Sequence, residues 1–373
     1  MSLYKNNKIR LIFQISRQLV LYPINLLCSF LPSSSKIWVF GHVHGYTDNS
    51  KILFEYMQEN HPEITTIWLT QEDEVVDNLH CQRFYYKYSF KGIYYSLFAR
   101  KFIYATGSTD ISALVPKYGR ESYQLWHGWP IKKLGLMSPE TYPSANNAIR
   151  SIVSRLLVYR FNQYKIIFCH DKITQEILSK AFSIPTEKCV ITGWPRFDRN
   201  RVSSLQSNSC LSEKKLILFA PTWHSDDSTQ KNIDELTGAT FSSFLQSNNY
   251  QLVIKLHPLE RGIKCISSPN VRFLKESETI ESHLRSSAIF ISDFSSLLVD
   301  ASINKDVYLF GKKLEEYKLN RGINEQYLTI YNNYFNFNAN QLISAINNNK
   351  CIHFPVSLKD DTCLNIIELI KRT

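Results

Sequence analysis

Short apolar runs alternate along most of the chain with longer segments whose apolar residues recur at helical spacing. Runs rich in β-branched and aromatic residues are typical of buried strands, and i, i+3, i+4 spacing is typical of helices with one buried face. Between its strands the first half contains predicted helices such as Ser50–Asn60 and Lys172–Phe182. The strands predicted there are Lys36–Phe40, Thr65–Leu69, Phe102–Ala105, Tyr123–Trp126, Ile166–Cys169 and Val190–Thr192.

The alternation restarts after a polar stretch, Val202–Lys215, which has little to bury and is predicted to link two domains. Two helices are predicted beyond it, Ile233–Ser247 and Ser295–Asn304. The strands predicted there are Leu216–Phe219, Gln251–Leu256, Val271–Phe273, Ile289–Ser292 and Val307–Leu309. This order predicts two doubly wound α/β domains with mostly parallel sheets, at 35–205 and 213–345, flanked by segments 1–34 and 346–373, the latter helical.

The composition supports a packed, two-domain protein with an anionic partner. A length of 373 residues exceeds the roughly 300 at which single cores stop growing, and an apolar fraction of 44% argues against extended disorder. The net charge of +10 is compatible with nucleic acid, a phosphorylated substrate or an acidic membrane surface. The eight cysteines include no C-x-x-C pair, which argues against a zinc site or a secreted disulfide framework and favours the cytoplasm.

The segment 1–34 is predicted to begin with a basic amphipathic helix. Its cations meet no acidic residue, and its apolar residues recur at helical spacing; they are Lys5, Lys8, Arg10 and Arg17, and Leu11, Ile12, Ile15 and Leu19. The apolar stretch Leu19–Leu31 contains Pro23 and falls short of the roughly 18 residues that a bilayer span needs. We expect the segment to lie on an anionic membrane surface, with a packed helix and a signal peptide as alternatives.

Ligands of doubly wound domains bind beyond the carboxyl ends of the strands, and a histidine stands at such a place in Gln124–Gly135. His127 follows a predicted strand and precedes a turn, so its imidazole can accept a proton from a hydroxyl near neutral pH. Lys132 and Lys133 would attract an anionic substrate. Alternatively, the histidine packs beside Trp126 and the lysines are only solvated.

In two segments of the second half, residues that can bind phosphates follow the end of a predicted strand. In Leu252–Gly262, Lys255, His257 and Arg261 gather near a strand end, where cationic donors can hold a pyrophosphate. In Ile289–Ser302, a strand leads through Asp293 to a predicted helix whose first turn begins at Ser295 and Ser296, a place that suits anions. Asp300 follows one turn later and can accept from ribose hydroxyls. Plain strand ends and an ordinary N-cap are the alternatives.

Two further segments leave strands into proline-containing turns and are predicted to frame a cleft between the domains. Leu218–His224 supplies Thr222 and His224, and Ile191–Asp198 supplies Arg196, as polar candidates for substrate binding. Structural turns explain either segment alone. The sequence contains no P-loop, G-x-G-x-x-G or G-x-S-x-G element, which argues against common kinase, dehydrogenase and esterase types.

Taken in order, the segments WHGWPIKKLG, TGWPRFD, FAPTWH, IKLHP and ISDFSSLLVD resemble the motifs of the CDP-glycerol glycerophosphotransferases, a family that includes teichoic-acid primases and polymerases. The resemblance spans about Ser35 to Phe310. It implies a GT-B-like architecture of two Rossmann-like domains, with CDP-glycerol or a related CDP-polyol bound mainly by the second. It also implies a peripheral membrane enzyme that acts on a lipid-linked or polymer acceptor.

The resemblance also implies roles for individual residues. His127 corresponds to the catalytic base, His257 to a pyrophosphate contact, Ser295–Ser296 to a phosphate-binding helix start and Asp300 to a ribose ligand. Asp110 is a candidate for orienting a catalytic group. The chain departs from the common family pattern at Trp129, which bears on the acceptor, and at His224, which makes the charge of a phosphate contact depend on pH.

We therefore predict transfer of glycerol phosphate, or a related polyol phosphate, from its CDP derivative to an acceptor hydroxyl with release of CMP. The sequence shows no carboxylate cluster that suggests an essential metal, so no cofactor is expected, and nucleic acid is not an expected partner. Two alternatives stay open at this stage. A GT-B glycosyltransferase using a nucleotide sugar shares the fold and anion site, and a basic nucleic-acid-binding protein shares the charge but lacks a reader motif.

Overall fold

The computed structural model describes residues 21, 23–71, 83–107, 110–112, 114–116, 118–139, 147–200, 215–224, 226–257, 260, 262–264, 268–275, 278 and 280–373. The predicted basic helix with Lys5, Lys8, Arg10 and Arg17 lies outside this part of the chain. Arg261 and, apart from Lys215, the predicted linker lie outside it as well.

The first half of the described chain forms a seven-stranded sheet whose neighbouring strands all run parallel. Its strands are β1 (Ser34–Gly41), β2 (Thr65–Thr70), β3 (Phe84–Tyr86), β4 (Ala99–Tyr104), β5 (Glu121–Gln124), β6 (Ile166–Cys169) and β7 (Cys189–Ile191), in the spatial order β3-β2-β1-β4-β5-β6-β7. Every predicted run overlaps one of these strands, but β5 ends at Gln124, before the predicted end at Trp126. The three-residue β3 was not predicted.

The second half of the described chain forms a six-stranded parallel sheet. Its strands are β8 (Lys215–Phe219), β9 (Tyr250–Ile254), β10 (Val271–Phe273), β11 (Ser287–Ser292), β12 (Asp306–Phe310) and β13 (Phe335–Asn336), in the order β10-β9-β8-β11-β12-β13. Both sheets reverse their strand order once, between β1 and β4 and between β8 and β11. Loops part at such a reversal and leave a crevice for a ligand beyond the strand ends.

Helices cover the sheets, and two of them differ from the prediction. The stretch Ile233–Ser247 is divided between two helices, because Gly238 has extended backbone and caps the second one. The helix predicted to begin at Ser295 begins at Leu297 and lasts five residues. The helices of the described chain include 23–28, Asp48–Asn60, Phe90–Phe98, Asn147–Asn162, Lys172–Phe182, Ser228–Thr237, Ala239–Ser247, Ile280–Ser286, Leu297–Ala301, Leu314–Asn320, Glu325–Tyr334, Ala339–Asn347 and Thr362–Arg372.

The C-terminal segment returns to the first domain. In helix Thr362–Arg372, Cys363, Ile366 and Ile370 are buried in the same apolar cluster as Trp38 and Phe40 of β1. The burial follows from apolar residues at helical spacing on one face of this helix. The segment predicted as a helical tail, 346–373, therefore completes one face of the first sheet, and its residues before 362 run mostly without regular structure.

The two domains also meet through backbone. Lys132 pairs with Ile323 in an isolated antiparallel bridge, Lys133 N donates to Gly322 O at 3.1 Å, and Asn324 N donates to Ile131 O at 2.8 Å. The buried Asn324 side chain adds donation to Pro130 O at 2.6 Å. The loop after β5, which carries His127, is thus anchored in the second domain just beyond the histidine.

Candidate active site

The loop after β5 presents His127 in the cleft, and one of its ring nitrogens is hydrogen-bonded to the protein. The imidazole is exposed, and Nδ1 lies 3.1 Å from Ala105 O, the carbonyl just after β4. Since a carbonyl only accepts, this contact assigns the proton to Nδ1 and leaves Nε2 with a lone pair. Desolvation lowers the pKa of His127 against the opposing effect of the Ala105 carbonyl, so the ring is neutral near pH 7. Its geometry suits acceptance of a proton.

Asp110 supports the carbonyl that orients this ring. Its carboxylate is fully buried and accepts from the backbone N–H of Ala105 at 2.9 Å, of Thr106 at 2.6 Å and of Gly107 at 3.0 Å, and from the Thr106 hydroxyl. A carboxylate used in this way holds the loop after β4 in one shape. Asp110, predicted among the catalytic residues, therefore lies behind Ala105 and His127 and does not face the cleft.

A second set of contacts holds the backbone on either side of His127. Asn49 is fully buried, and its Nδ2 donates to Trp126 O at 3.0 Å while Oδ1 accepts from Arg196 N–H at 3.2 Å. The Arg196 side chain donates from Nη1 to His127 O at 3.1 Å and to Asp48 Oδ1 at 2.5 Å. Three loops, after β1, β5 and β7, are joined in this network.

Arg196 also crosses to the second domain. Its Nη2 lies 3.2 Å from Asp300 Oδ1, and Trp129 Nε1 donates to the same oxygen at 3.0 Å. Desolvation opposes the charge on Arg196, but the Asp300 and Asp48 carboxylates raise its pKa above the ordinary value. Arg196, which was predicted to bind substrate, has its guanidinium between the Asp48 and Asp300 carboxylates.

The loop after β1 contributes two histidines that sequence analysis did not select. His42 is buried, accepts from His44 N–H at 3.1 Å through Nδ1 and directs Nε2 toward Asp48 Oδ2 at 3.7 Å. Desolvation lowers its pKa despite the nearby Asp48. His44 is exposed beside it, with the two ring centroids 5.5 Å apart.

Across the cleft, the loop after β9 presents two cationic candidates. His257 is exposed and Lys255 is half-buried. Desolvation lowers the pKa of His257; Glu260 opposes this effect, and the charge of Lys132 adds to it. Lys132 belongs to the loop after β5 of the first domain, and its backbone pairs with Ile323 of the second domain. Lys132 Nζ also lies over the Tyr317 ring, 5.7 Å from the centroid.

The serines after β11 face the loop of His127. A Cβ added to Gly128 would lie 3.1 Å from Ser296 Oγ, so a larger residue here would have to displace the serine hydroxyl by a few tenths of an ångström. Ser295 Oγ accepts from Leu297 N–H at 3.2 Å, which uses one of the N–H groups predicted to be available to an anion. Ser296 is half-buried next to His127 and is the better-placed serine.

Asp293, Thr222 and His224 form a support behind these serines. The Asp293 carboxylate is buried and accepts from Thr222 N–H at 2.8 Å and Phe294 N–H at 2.6 Å, and it lies 2.7 Å from His224 Nε2. Asp293, which was predicted to bind substrate, thus makes its observed contacts within the protein. The buried Thr222 hydroxyl has no hydrogen-bond partner among the described residues.

Asp48, Asn49, His42 and His44 are the main candidates that sequence analysis missed. The sequence did contain a signal for them, because all four follow the buried strand β1. Position after a strand is the same criterion that selected His127 after β5. The Asp–Asn pair instead suggests an ordinary helix start, and its partners are distant in sequence.

Comparisons with known proteins agree with this arrangement. The profile of the family CDP-Glycerol:Poly(glycerophosphate) glycerophosphotransferase matches residues 24–351. A teichoic acid poly(glycerol phosphate) polymerase of Bacillus subtilis (strain 168) is 23% identical over 79% of this chain, which spans only 41% of that relative. A teichoic acid glycerol-phosphate transferase of Staphylococcus aureus (strain NCTC 8325 / PS 47) is 24% identical over 78% of this chain and 77% of its own length.

The solved structure of the wall teichoic acid polymerase TagF superimposes with a TM-score of 0.72 at 18% identity and covers 98% of this chain and 97% of that one. This similarity and the two facing parallel-sheet domains confirm the predicted GT-B-like α/β fold.

Proposed function

Because this chain belongs to the CDP-glycerol:poly(glycerophosphate) glycerophosphotransferase family, we propose that it transfers glycerol phosphate from CDP-glycerol to an acceptor hydroxyl and releases CMP. The observation that carries the proposal is the position of His127. Its Nδ1–H points to Ala105 O, and its loop meets the anion-binding candidates of the second domain at Gly128 and Ser296. A neutral base and cationic or hydroxyl donors thus share one cleft.

The chemistry balances with these groups. His127 Nε2 takes the proton of the acceptor hydroxyl as the oxygen attacks the phosphorus that bears glycerol. A new P–O bond forms, the P–O bond of the pyrophosphate breaks, and its electron pair leaves with CMP. The Lys255 cation and hydrogen bonds from the His257 ring and the Ser296 hydroxyl can stabilise the charge that accumulates on the leaving phosphate. Positioning and electrostatics supply most of the catalysis in this scheme.

Asp300 is proposed to bind the ribose of the donor. Trp129 Nε1 and Arg196 both use Oδ1, so Oδ2 is the oxygen that can accept from a ribose hydroxyl. Burial raises the pKa of Asp300 in the absence of such a donor. The neighbouring Arg196 nonetheless favours the ionised carboxylate, which is the form that accepts hydrogen bonds.

We also propose attachment of the protein to the cytoplasmic face of a membrane, where a lipid-linked acceptor is reached. Arg120 Nη2 donates to Leu31 O at 3.1 Å and to Leu97 O at 2.8 Å, which joins the turn after helix 23–28 to helix Phe90–Phe98. Exposed apolar side chains flank this junction, with Phe30 84% and Phe90 96% exposed. Within the described residues, no helix has the length and apolarity to cross a bilayer.

The attachment is tested by sedimentation with vesicles of mixed neutral and anionic lipid. Binding that weakens with salt and after substitution of Phe30 and Phe90 by Ser is expected, because apolar insertion and charge attraction act together. Substitution of the exposed Leu319 on the second domain is the matched control. Equal binding by the double variant and the control would contradict this surface.

The reaction itself is tested with a panel of CDP-polyols and nucleotide sugars, with CMP, UMP and UDP measured as products. CMP release from CDP-glycerol that depends on an acceptor is the expected result. UDP release from a sugar donor, with every CDP-polyol inert, would replace the proposal by a glycosyltransferase activity.

A further inference from the structure

Two side chains beside the base loop, the buried Asn49 and the half-buried Arg196, have no part in the proposed chemical steps. Asn49 bonds Trp126 O at 3.0 Å, and Arg196 bonds His127 O at 3.1 Å. These carbonyls flank the Cα of His127 on its two sides. The backbone N–H of Arg196 donates to Asn49 Oδ1 at 3.2 Å, so the two holding groups are also bonded to each other.

We propose that Asn49 and Arg196 are positioning residues that hold His127 in the orientation needed to accept a proton. The inference rests on the proposed role of His127 as the base. With both flanking carbonyls held and Nδ1 directed at Ala105 O, the direction of the Nε2 lone pair is determined by three separate contacts. A displacement of a reacting group by about 1 Å can cost about 100-fold in rate.

The backbone of this loop requires such support. Trp126 has φ of +62°, a left-handed conformation that is unfavourable for a bulky side chain. Such a conformation persists where surrounding contacts over-determine it. Asn49, which bonds the carbonyl of this very residue, is fully buried and therefore does not exchange its bonds with water. Loss of the Asn49 amide would let Trp126 relax and turn the imidazole that follows it.

Arg196 also connects the loop of His127 to the second domain. It lies between Asp48 Oδ1 at 2.5 Å and Asp300 Oδ1 at 3.2 Å, so one guanidinium touches the first domain, the base loop and the donor domain. Its fork can hold these groups together, whereas a lysine presents a single point charge. Arg196 thereby sets the position of His127 relative to the donor as well as within its own loop.

The test compares Asn49→Ala with Asn336→Ala, a matched control in the second domain. Asn336 is also buried, and its amide bonds Leu309 O at 2.8 Å and Tyr334 O at 3.1 Å, so its loss removes the same kind of contact away from the base. For Asn49→Ala, kcat should fall about 10- to 100-fold while the KM for CDP-glycerol changes less than about threefold.

The pH profile of kcat adds a readout that a structural role alone would not move. Desolvation holds the pKa of His127 below its ordinary 6.5, so the acidic limb of the wild-type profile lies below that value. A loosened loop in Asn49→Ala moves the ring away from the protein groups that desolvate it, so the acidic limb should move toward higher pH. Asn336→Ala should leave the limb in place.

Equal kcat and an unshifted acidic limb in the two variants would overturn the proposal. If Asn49→Ala does not fold, Arg196→Lys replaces it, and wild-type kcat in that variant would overturn the proposal too. His127→Ala, measured alongside, separates the claims. An inactive His127→Ala with an unaffected Asn49→Ala removes only the positioning role, whereas an active His127→Ala removes the base assignment and the positioning role together.

Discussion

The two sides of the cleft are built differently. On the first-domain side, Asp110 and Asn49 are fully buried and His42 is 3% exposed. The polar ends of Asp110 and Asn49 meet backbone groups and the Thr106 hydroxyl. On the second-domain side, His257 is exposed, and Lys255 and Ser296 are half-buried. The groups nearest the proposed base are thus held by the protein itself, and the groups nearest the proposed donor remain accessible.

The difference follows from what each side has to do. A base must present one lone pair in one direction before the acceptor arrives, and contacts within the protein provide that orientation. A nucleotide diphosphate brings its own charge and many acceptor oxygens, so flexible cationic groups can arrange themselves around it. The comparison predicts that first-domain substitutions act mainly on kcat and second-domain substitutions act mainly on donor affinity.

The largest expected effect comes from His127→Ala. Transfer should fall about 10²- to 10⁴-fold because the proposed base is lost, while CDP-glycerol affinity changes little because the imidazole faces the acceptor. CMP release gives the rate, and calorimetry gives the affinity. The exposed His353 of the second domain provides the control as His353→Ala. Near wild-type turnover of His127→Ala would contradict the prediction that first-domain substitutions act mainly on kcat.

Asp293→Ala tests the buried contacts that Asp293 makes on the second-domain side of the cleft. Its carboxylate accepts from Thr222 N–H and Phe294 N–H and contacts His224, so removal leaves buried groups unpaired. The free energy of unfolding should fall by about 2 to 4 kcal/mol. Urea denaturation measures it, and Asp306→Ala at an exposed position is the control. Equal losses of unfolding free energy in Asp293→Ala and Asp306→Ala would show that the buried Asp293 contacts do not stabilise the fold.

A smaller effect is expected from His257→Ala and Ser296→Ala. Each should raise the dissociation constant of CDP-glycerol about tenfold, because a charge-assisted or hydroxyl contact to phosphate is worth about 1.5 kcal/mol. Calorimetry on both variants, with His353→Ala as the reference, provides the measurement. If both proteins bind the donor as tightly as the reference, the phosphate site does not lie at these residues.

The smallest effect concerns Glu121, remote from the cleft, where Lys101 Nζ lies 2.9 Å and Lys165 Nζ 3.4 Å from its carboxylate oxygens. Desolvation opposes ionisation, but Lys101 and Tyr123 contacts lower the pKa of Glu121 to about 2. Because this folded-state pKa is below the ordinary 4.5, the stabilisation is complete above 4.5 and disappears as the pH falls toward 2.

Glu121→Gln should therefore lower the free energy of unfolding by about 1 kcal/mol at neutral pH. The difference from wild type should shrink as the pH falls from 4.5 toward 2. Urea denaturation at several pH values measures both, with the exposed Glu368→Gln as the control. A difference that stays constant with pH would mean that packing, and not charge, explains the loss.

Much of the fold follows from local pattern. The apolar run Ile166–Cys169 lies in the structure as a strand with the predicted bounds, because a parallel sheet covered on both faces requires continuous apolar strands. The ordered motifs also led to the family that the profile comparison supports. The short strands β3 and β13, of three and two residues, were not predicted.

The functional candidates also differ in whether the local sequence reveals them. Sequence alone placed His127 and His257 at strand ends, because the end of an apolar run is visible locally. It did not reveal that Arg196 contacts Asp48 and Asp300, since a substrate ligand and an internal ion pair have the same local pattern.

What the sequence by itself determined is the order of strands and helices and the polar residues that follow each strand, because both depend on neighbouring residues. What only the tertiary structure decided is which polar groups meet. Asn49 reaches Trp126 across 77 positions and Trp129 reaches Asp300 across 171 positions of the chain. Those contacts exist because parallel crossovers bring the ends of β1, β5, β7 and β11 to one cleft, and burial then decides which side chains support the loops and which remain open to substrate.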